Sequence, residues 1–343
     1  DMVAGMEAKH ADLVLEGGGV KGIALAGAVA RLAAAGYSFP RVAGTSAGAI
    51  TGAGVAAIEA AGESLDQIGR LAHEVDYARF ADRGGIAGTI AGHIGPLSAL
   101  VDVASLFAEN GIYEGDYLHD WMLRTLDRFG VRTFGDLKLP PDEGTDLPES
   151  HRYRLVVTAS DLSRQRFVQL PWDYPDYGLD PDEQVVADAV RMSASIPFVF
   201  EPVTLRGAGS GTSTMVDGGV YSTYPITMFD RTDERPPRWP TFGVKLSARP
   251  SAQPKPSEIH GPVDLALAIV DAMYGALDEA HLAERCTLVR SIFVDTSEVS
   301  PTDFGLSKET QERLYDSGRE AAGKFLESWD FEEYIRACRG GPR

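Results

Sequence analysis

The chain has 343 residues, of which 44% are hydrophobic and 24% charged, an ordinary composition for a globular protein with a substantial core. Its net charge of −18 argues against a nucleic-acid partner and against electrostatic docking on anionic lipid. No apolar stretch reaches the roughly 20 residues that span a bilayer. Any membrane contact is therefore expected to be peripheral and transient. Cys286 and Cys338 lack metal-ligand spacing and are expected to be reduced thiols, which together with the missing membrane span predicts a cytoplasmic protein.

The first sixty residues predict two strand–turn–helix units of a parallel sheet. A short apolar run at residues 12–15 indicates a buried strand, and residues 23–35 indicate a helix that is buried nearly all round. A second strand at residues 41–43 and a second small-residue helix at residues 47–61 follow. This order is typical of an α/β fold, in which ligands bind at the carboxyl ends of the strands.

The rest of the chain continues the mixed pattern. Residues 64–130 are predicted to be mostly helical, as a cap or insert, with residues 86–107 either an interfacial element or plain helical packing. Further predictions are strands at 153–159, 166–170, 215–216, 242–247 and 292–294, helices at 185–194, 263–284 and 308–327, and a Gly/Ser/Thr loop at 207–214. There are no internal repeats, so we predict one domain over residues 1–343, with its core at about 10–330.

A nucleophile-elbow pattern, Gly-x-Ser-x-Gly, occurs at Gly44-Thr45-Ser46-Ala47-Gly48. In this pattern a serine occupies a sharp turn between a strand and a helix, and the glycines leave room for the strained backbone. A hydrolytic serine also needs amide donors that face the developing oxyanion. The pattern makes Ser46 the candidate nucleophile.

A second glycine motif, Gly17-Gly18-Gly19-Val20-Lys21-Gly22, lies upstream. Its spacing also fits a dinucleotide fingerprint, but that site needs an acidic residue about 20 positions later. None occurs between Glu16 and Glu59, and the Gly-Lys-Ser/Thr ending of a P-loop is missing. The amides of Gly18 and Gly19, beside the positive end of a helix, instead predict an anion hole. A tight turn without a ligand is the alternative.

A serine hydroxyl needs a base, and histidine is the usual partner. None of the seven histidines has a glycine-flanked strand-end context, although His260 is the least implausible by chain order. Asp217 follows an apolar strand and precedes Gly218 and Gly219, which allow a close backbone approach. An aspartate, with an ordinary pKa of about 3.9, is a weak base unless burial raises its pKa or it mainly orients the hydroxyl. Alone, Asp-Gly-Gly is more typical of a β-turn.

These three motifs, in this order, resemble those of the patatin-like phospholipase family. A fourth block, residues 192–197 (Met-Ser-Ala-Ser-Ile-Pro), and the C-terminal residues 299–304 are also similar to bacterial members, so the resemblance covers nearly the whole chain. It implies a three-layer α/β/α fold with a central, mostly parallel sheet and a partly helical cap. Glu16 departs from the aspartate common in the family, with little effect expected.

The resemblance implies a Ser-Asp dyad in which Ser46 is the nucleophile and Asp217 the base. The oxyanion hole would comprise Gly18 and Gly19, with Gly17 and Lys21 as weaker members. The motif glycines that would support these residues are Gly22, Gly44, Gly48, Gly218 and Gly219.

The implied function is a lipid acyl hydrolase, a phospholipase A or lysophospholipase-type serine esterase that works through an acyl-enzyme without metal or cofactor. Its substrate would be a phospholipid or another acyl-ester lipid. The long insert between the serine and the aspartate is expected to reshape the acyl pocket. The alternatives are a catalytically silent lipid-binding or scaffold protein of the same fold, and a nucleotide binder.

Overall fold

The computed structural model describes residues 9–81, 113–141, 147–209, 211–233, 235–247 and 284–339, with isolated positions 268 and 272. Its strands are β1 (Lys9–His10), β2 (Asp12–Leu15), β3 (Tyr37–Ser38), β4 (Val42–Thr45), β5 (Leu155–Asp161), β6 (Arg166–Leu170), β7 (Val203–Gly207), β8 (Gly211–Asp217), β9 (Thr241–Lys245) and β10 (Ser291–Phe293). Its helices are α1 (Gly22–Ala34), α2 (Ala47–Ala60), α3 (Gln67–Glu74), α4 (Asp116–Asp127), α5 (Val186–Ser193), α6 (Arg285–Val289), α7 (Lys308–Ser328) and α8 (Phe331–Arg339). The predicted interfacial stretch at 86–107, and the predicted helix at 263–284 apart from positions 268 and 272, lie outside the described residues.

The main sheet has the order β10-β9-β2-β4-β5-β8-β7, and β6 pairs with β5 beside this path. The strands β10, β9, β2, β4 and β5 pair in parallel, whereas β6 and β8 run antiparallel to β5, and β7 runs antiparallel to β8. The prediction of an α/β fold with a central, mostly parallel sheet is therefore confirmed.

The prediction of a loop at residues 207–214 is wrong, because most of these residues belong to the hairpin of β7 and β8. Gly209 and Gly211 have positive φ angles of 78° and 82° and form the turn, while the threonines that follow favour extended backbone. The Gly/Ser/Thr composition indicated the turn correctly but concealed the strand beside it.

The sheet is covered differently on its two faces. Alanine-rich and glycine-rich helices α1 and α2 belong to the large core, which contains buried residues from Ala11 to Ala322. A smaller cluster joins Val14, Ala43 and Val156 of three neighbouring strands to a later segment at residues 224–229. Because side chains alternate along a strand, the two clusters lie on opposite faces of one sheet.

Helix α7 packs closely on α1 through glycines. A Cβ atom on Gly27 would lie 2.0 Å from the Tyr315 carbonyl oxygen, and one on Gly318 would lie 1.9 Å from the Ala24 carbonyl oxygen. Only residues without a side chain allow this approach.

The expectation of reduced cysteines is wrong, because Cys286 and Cys338 form a disulfide that joins α6 to α8. Cysteines far apart in sequence carry no signal of their spatial distance, so the sequence alone could not reveal the pair. The cytoplasmic setting rested partly on reduced thiols, and that support is lost. Among the described helices, none combines the length and apolar character needed to cross a bilayer.

Candidate functional site

Ser46 lies in a sharp turn between β4 and α2. Its φ and ψ angles are 53° and −118°, a left-handed backbone that is uncommon for a residue with a side chain. A Cβ atom on Gly44 would lie 2.2 Å from the Gly48 carbonyl oxygen, and one on Gly48 would lie 2.1 Å from the Leu15 carbonyl oxygen. The turn therefore requires both flanking glycines, as the elbow pattern predicts.

The glycine loop after β2 packs directly against this turn. A Cβ atom on Gly17 would lie 3.3 Å from the Ser46 Cβ atom. Gly19 has a φ of 56°, and a Cβ atom there would lie 2.0 Å from the Pro301 carbonyl oxygen. The neighbouring Val20 N–H donates to that same carbonyl oxygen at 3.0 Å. The segment after β10 thus fixes the conformation of the loop.

The amides of the loop differ in their availability. The Gly17 N–H donates to the Thr223 carbonyl oxygen at 3.0 Å, and the Lys21 N–H donates to the Gly18 carbonyl oxygen at 3.2 Å. Within the described part of the chain, the N–H groups of Gly18 and Gly19 have no hydrogen-bond acceptor. Of the four predicted oxyanion-hole residues, these two have amides that can receive a ligand, while the amides of Gly17 and Lys21 are engaged in holding the loop.

Glu16 connects the loop to the neighbouring strand β9. Its carboxylate accepts hydrogen bonds from the Lys245 ammonium group and from the Leu246 backbone N–H. The Glu16 and Lys245 side chains are only 8% and 6% exposed. Glu16, whose departure from the family's usual aspartate is expected to have little effect, is thus part of a buried ion pair at the base of the glycine loop.

Asp217 ends β8 beside the end of β4. On one edge of β5, Thr158 pairs with Thr45 and the next residue, Ala159, pairs with Asp217, while β6 occupies the opposite edge at both positions. The strands β4 and β8 therefore meet end to end along the same edge, with Thr45 and Asp217 opposite consecutive residues of β5. Successive strand residues are about 3.3 Å apart, so the chain turns at Ser46 and at Gly218 occur side by side.

Buried hydrogen bonds hold this junction together. The Oγ1 atoms of Thr45 and Thr158 lie 2.7 Å apart, and the Gly219 N–H donates to Asp217 Oδ1 at 2.7 Å. A Cβ atom on Gly218 would lie 2.5 Å from Thr158 Oγ1, which explains the glycine after the aspartate. Asp217 is fully buried, and Ser46 is 3% exposed.

An apolar cavity opens at Ser46. The empty space of the cavity, together with the open solvent at its mouth, amounts to about 770 Å³. Its wall includes residues from α1, α2, α3 and α4. Representative lining residues are Ser46, Ile50, Gly54, Leu71, Met122 and Phe304. Ser46 and Gly54 are eight residues apart at the start and the third turn of α2, so the cavity extends roughly 12 Å along the helix. The described part of the predicted helical cap forms much of this wall.

The described histidines lie elsewhere. His10 contacts Ser38, His73 contacts the Gly69 carbonyl oxygen, His119 contacts Asp188, and His151 contacts Ser150. None of these four lines the cavity at Ser46. His93, His260 and His281 lie outside the described residues, so the His260 alternative stays a prediction.

Two serines of the fourth block contact the site, a role that the sequence did not reveal. The Ser193 hydroxyl accepts a hydrogen bond from the Ser46 N–H at 2.8 Å, and the Ser195 carbonyl oxygen accepts one from the Asp217 N–H at 2.9 Å. The available signal was the small-residue block itself, which lies just before a proline. Its composition indicates close packing but not the partner.

Comparisons with known proteins show the family to which the chain belongs. A family model described as patatin-like phospholipase matches residues 13–230. The chain is 38% identical over 322 residues to the uncharacterized protein YqhO of Bacillus subtilis, covering 94% of this chain and 100% of that protein. It is 23% identical over 319 residues to the uncharacterized protein R571 of Acanthamoeba polyphaga mimivirus, covering 91% and 92% of the two chains.

Among solved structures, VipD from Legionella pneumophila is similar with a TM-score of 0.48 and 20% identity, over 94% of this chain and 67% of VipD. ExoU of Pseudomonas aeruginosa, in its heterodimeric complex with SpcU, is similar with a TM-score of 0.46 and 20% identity. That match covers 94% of this chain and 52% of the ExoU chain.

Proposed function

Because the chain belongs to the patatin-like phospholipase family, we propose that it hydrolyses acyl esters of lipids with Ser46 as the nucleophile and Asp217 as the base. The observation that carries the proposal is the strand junction on β5, where β4 and β8 end opposite the consecutive residues Thr158 and Ala159. The serine motif and the aspartate motif, which are far apart in the chain, thereby lie side by side at this junction, next to an apolar cavity that Ser46 lines.

In the proposed reaction, Asp217 accepts the hydroxyl proton of Ser46 as Oγ attacks the ester carbonyl carbon. The N–H groups of Gly18 and Gly19 donate to the oxyanion, and losing one such donor would cost roughly 3–4 kcal/mol. Collapse of the intermediate expels the alcohol, which takes the proton from Asp217, and leaves an acyl group on Ser46. Water then attacks the acyl-enzyme as Asp217 accepts its proton. Release of the fatty acid returns that proton to Ser46.

The cavity supports a substrate with an apolar acyl chain. Its residues are overwhelmingly hydrophobic, and burying a chain of methylene groups contributes about 0.8 kcal/mol for each group. Gly54 lies two turns beyond Ser46 on α2, where a Cβ atom would meet the Ile68 and Leu71 side chains at 3.3 and 3.7 Å. We infer that this part of the cavity receives the distal portion of the acyl chain.

The nucleophile is tested by labelling with a fluorophosphonate and mapping the adduct by mass spectrometry, followed by a panel of phospholipid and lysophospholipid esters. The wild type should label at Ser46, and Ser46→Ala and Asp217→Asn should remain folded but lose esterase activity. The Ser213→Ala variant, which alters another buried serine, is the control and should retain activity. Full activity in Asp217→Asn would refute the dyad. A folded wild type that neither labels nor turns over esters would instead indicate a silent lipid-binding protein.

The acyl-chain site is tested with Gly54→Leu, which fills the cavity, and with Ala60→Leu, which adds the same side chain at an exposed position of α2. Gly54→Leu should shift the preference toward shorter acyl esters while Ser46 still labels. Ala60→Leu should keep the wild-type preference. An unchanged chain-length profile in Gly54→Leu would refute this placement of the acyl chain.

A further inference from the structure

The end of helix α5 contacts both members of the proposed dyad. Ser193 Oγ accepts from the Ser46 N–H at 2.8 Å, and two residues later the Ser195 carbonyl oxygen accepts from the Asp217 N–H at 2.9 Å. Ser193 and Ser195 are fully buried. One short segment therefore holds the backbone of the serine and of the aspartate.

The Ser46 N–H needs an acceptor of this kind. Ser46 follows the last residue of β4 that pairs with β5, and it precedes the first residue of α2. Its N–H therefore has neither a strand partner nor a helical partner, and its acceptor is the Ser193 hydroxyl. A buried amide that loses its acceptor is costly, so the Ser193 hydroxyl favours the strained turn over a relaxed one.

The segment is itself held by a buried arginine. The Arg191 guanidinium donates to Ser195 Oγ and to the Glu201 carbonyl oxygen, the latter at 3.1 Å. Ser195 Oγ in turn donates to the Arg191 carbonyl oxygen at 2.8 Å. Ala194, between the two serines, lines the cavity at Ser46. The contacts to the dyad thus come from a fixed part of the cavity wall.

We propose that Ser193 is a positioning residue for the reaction, which acts by fixing the Ser46 turn in the conformation that directs its hydroxyl toward Asp217. This inference rests on the proposed function, because it assigns Ser193 a role through Ser46. Ser193 does not line the cavity, and its hydrogen bond is to the backbone N–H of Ser46 rather than to the Ser46 hydroxyl. Its loss should therefore lower the rate of the chemical step and leave ester binding nearly unchanged. Misplacing a reacting group by about 1 Å lowers the rate by as much as roughly a hundredfold.

The experiment compares Ser193→Ala and Ser193→Thr with Ser291→Ala. Ser291 is also a buried serine, with hydrogen bonds to Tyr224 and to the Thr287 carbonyl oxygen, but it lies at the start of β10, the end of the strand away from the glycine loop. The readouts are the maximal rate and the half-saturation constant of fluorophosphonate labelling, kcat and KM for one ester, melting temperature, and hydrogen–deuterium exchange at the Ser46 amide.

We expect Ser193→Ala to lower the labelling rate and kcat by about tenfold to a hundredfold with KM unchanged, and to speed exchange at the Ser46 amide. Ser193→Thr keeps the hydroxyl and should recover most of the rate, while Ser291→Ala should lose stability but keep the wild-type rate. If Ser193→Ala does not fold, Ser193→Cys, a weaker acceptor of similar size, is measured with the same expectation.

A wild-type rate in Ser193→Ala, a rise in KM alone, or an equal loss of rate in Ser291→Ala would overturn the positioning role. In these cases wild-type labelling at Ser46 would still support the proposed function. A wild type that does not label at all would overturn both.

Discussion

Replacing Lys245 by methionine should destabilise the protein and disturb the glycine loop. The Lys245 ammonium group is paired with the buried Glu16 carboxylate, and Glu16 is the residue immediately before Gly17. The Lys245→Met variant leaves that carboxylate buried with the Leu246 N–H and without its cation. Breaking a buried ion pair from one side typically costs about 3–5 kcal/mol. The free energy of unfolding should fall by this amount.

The double variant Glu16→Gln/Lys245→Met separates the ion pair from general packing. Because both charges are removed together, the double variant should lose less unfolding free energy than the two single variants lose in sum, by at least about 1 kcal/mol. At roughly 2–4 °C for each kcal/mol, the Lys245→Met melting temperature should fall by at least about 6 °C. Labelling of Ser46 should slow in Lys245→Met, because the loop that carries Gly18 and Gly19 loses its anchor.

Urea unfolding at neutral pH measures the free energies, and fluorophosphonate labelling of the folded fraction measures the effect on the site. Lys138→Met is a suitable control, since Lys138 pairs with Asp182 at the surface and such pairs contribute about 0–1 kcal/mol. Losses that are additive within about 0.5 kcal/mol would refute the reasoning, as would a Lys245→Met loss no larger than that of Lys138→Met.

Three further predictions concern backbone contacts, the disulfide and the carboxylate of Asp136. Gly48→Ala would put a Cβ atom 2.1 Å from the Leu15 carbonyl oxygen and should lower the free energy of unfolding by about 3 kcal/mol or more. In Gly54→Ala the Cβ atom meets only side-chain carbons, at 3.3 and 3.7 Å, so this variant should lose less stability, and equal urea midpoints for the two variants would contradict the prediction. Breaking the Cys286–Cys338 disulfide should lower the free energy of unfolding by about 4 kcal/mol in the chain-entropy model, so Cys338→Ser should melt at a lower temperature than the oxidised wild type. An intact mass of the wild type that lacks the loss of two hydrogens would exclude the disulfide. Hydrogen bonds from the Thr133 and Arg132 N–H groups lower the pKa of Asp136, so its carboxylate stabilises the fold at neutral pH. This stabilisation is lost as the pH falls through about 4 and below, so the difference in unfolding free energy between wild type and Asp136→Asn should shrink in that range. A difference that stays constant with pH would refute the prediction.

The parts of the fold that depend on local pattern could be predicted from the sequence. The two strand–turn–helix units were predicted within one or two residues, because buried strands end at glycines and the following helices are rich in alanine. The strained turn at Ser46 was predictable for a similar reason: a serine between two glycines leaves the space that the neighbouring carbonyl groups require.

The parts that depend on distant pairing could not be predicted. The disulfide joins residues whose spacing carries no information, and the Glu16–Lys245 ion pair forms only because β2 and β9 are neighbours in the sheet. The hydrogen bond that engages the Gly17 amide follows the same rule. The sequence indicates Gly18 and Gly19 as the main donors, but nothing in it indicates that the Thr223 carbonyl oxygen accepts from the Gly17 N–H.

The position of Asp217 depends on the register of β8 along β5. Side chains alternate across a strand, so a slip of one residue would turn the Asp217 carboxylate to the opposite face of the sheet. The threonine-rich and serine-rich start of β8 specifies that register weakly, because its side chains are mostly exposed. The Asp217 N–H bond to the Ser195 carbonyl oxygen and the contact of Gly218 with Thr158 fix it instead. The register of β8 and the turn at Ser46 are thus held from the same segment, which links the fourth sequence block to the geometry of the proposed dyad.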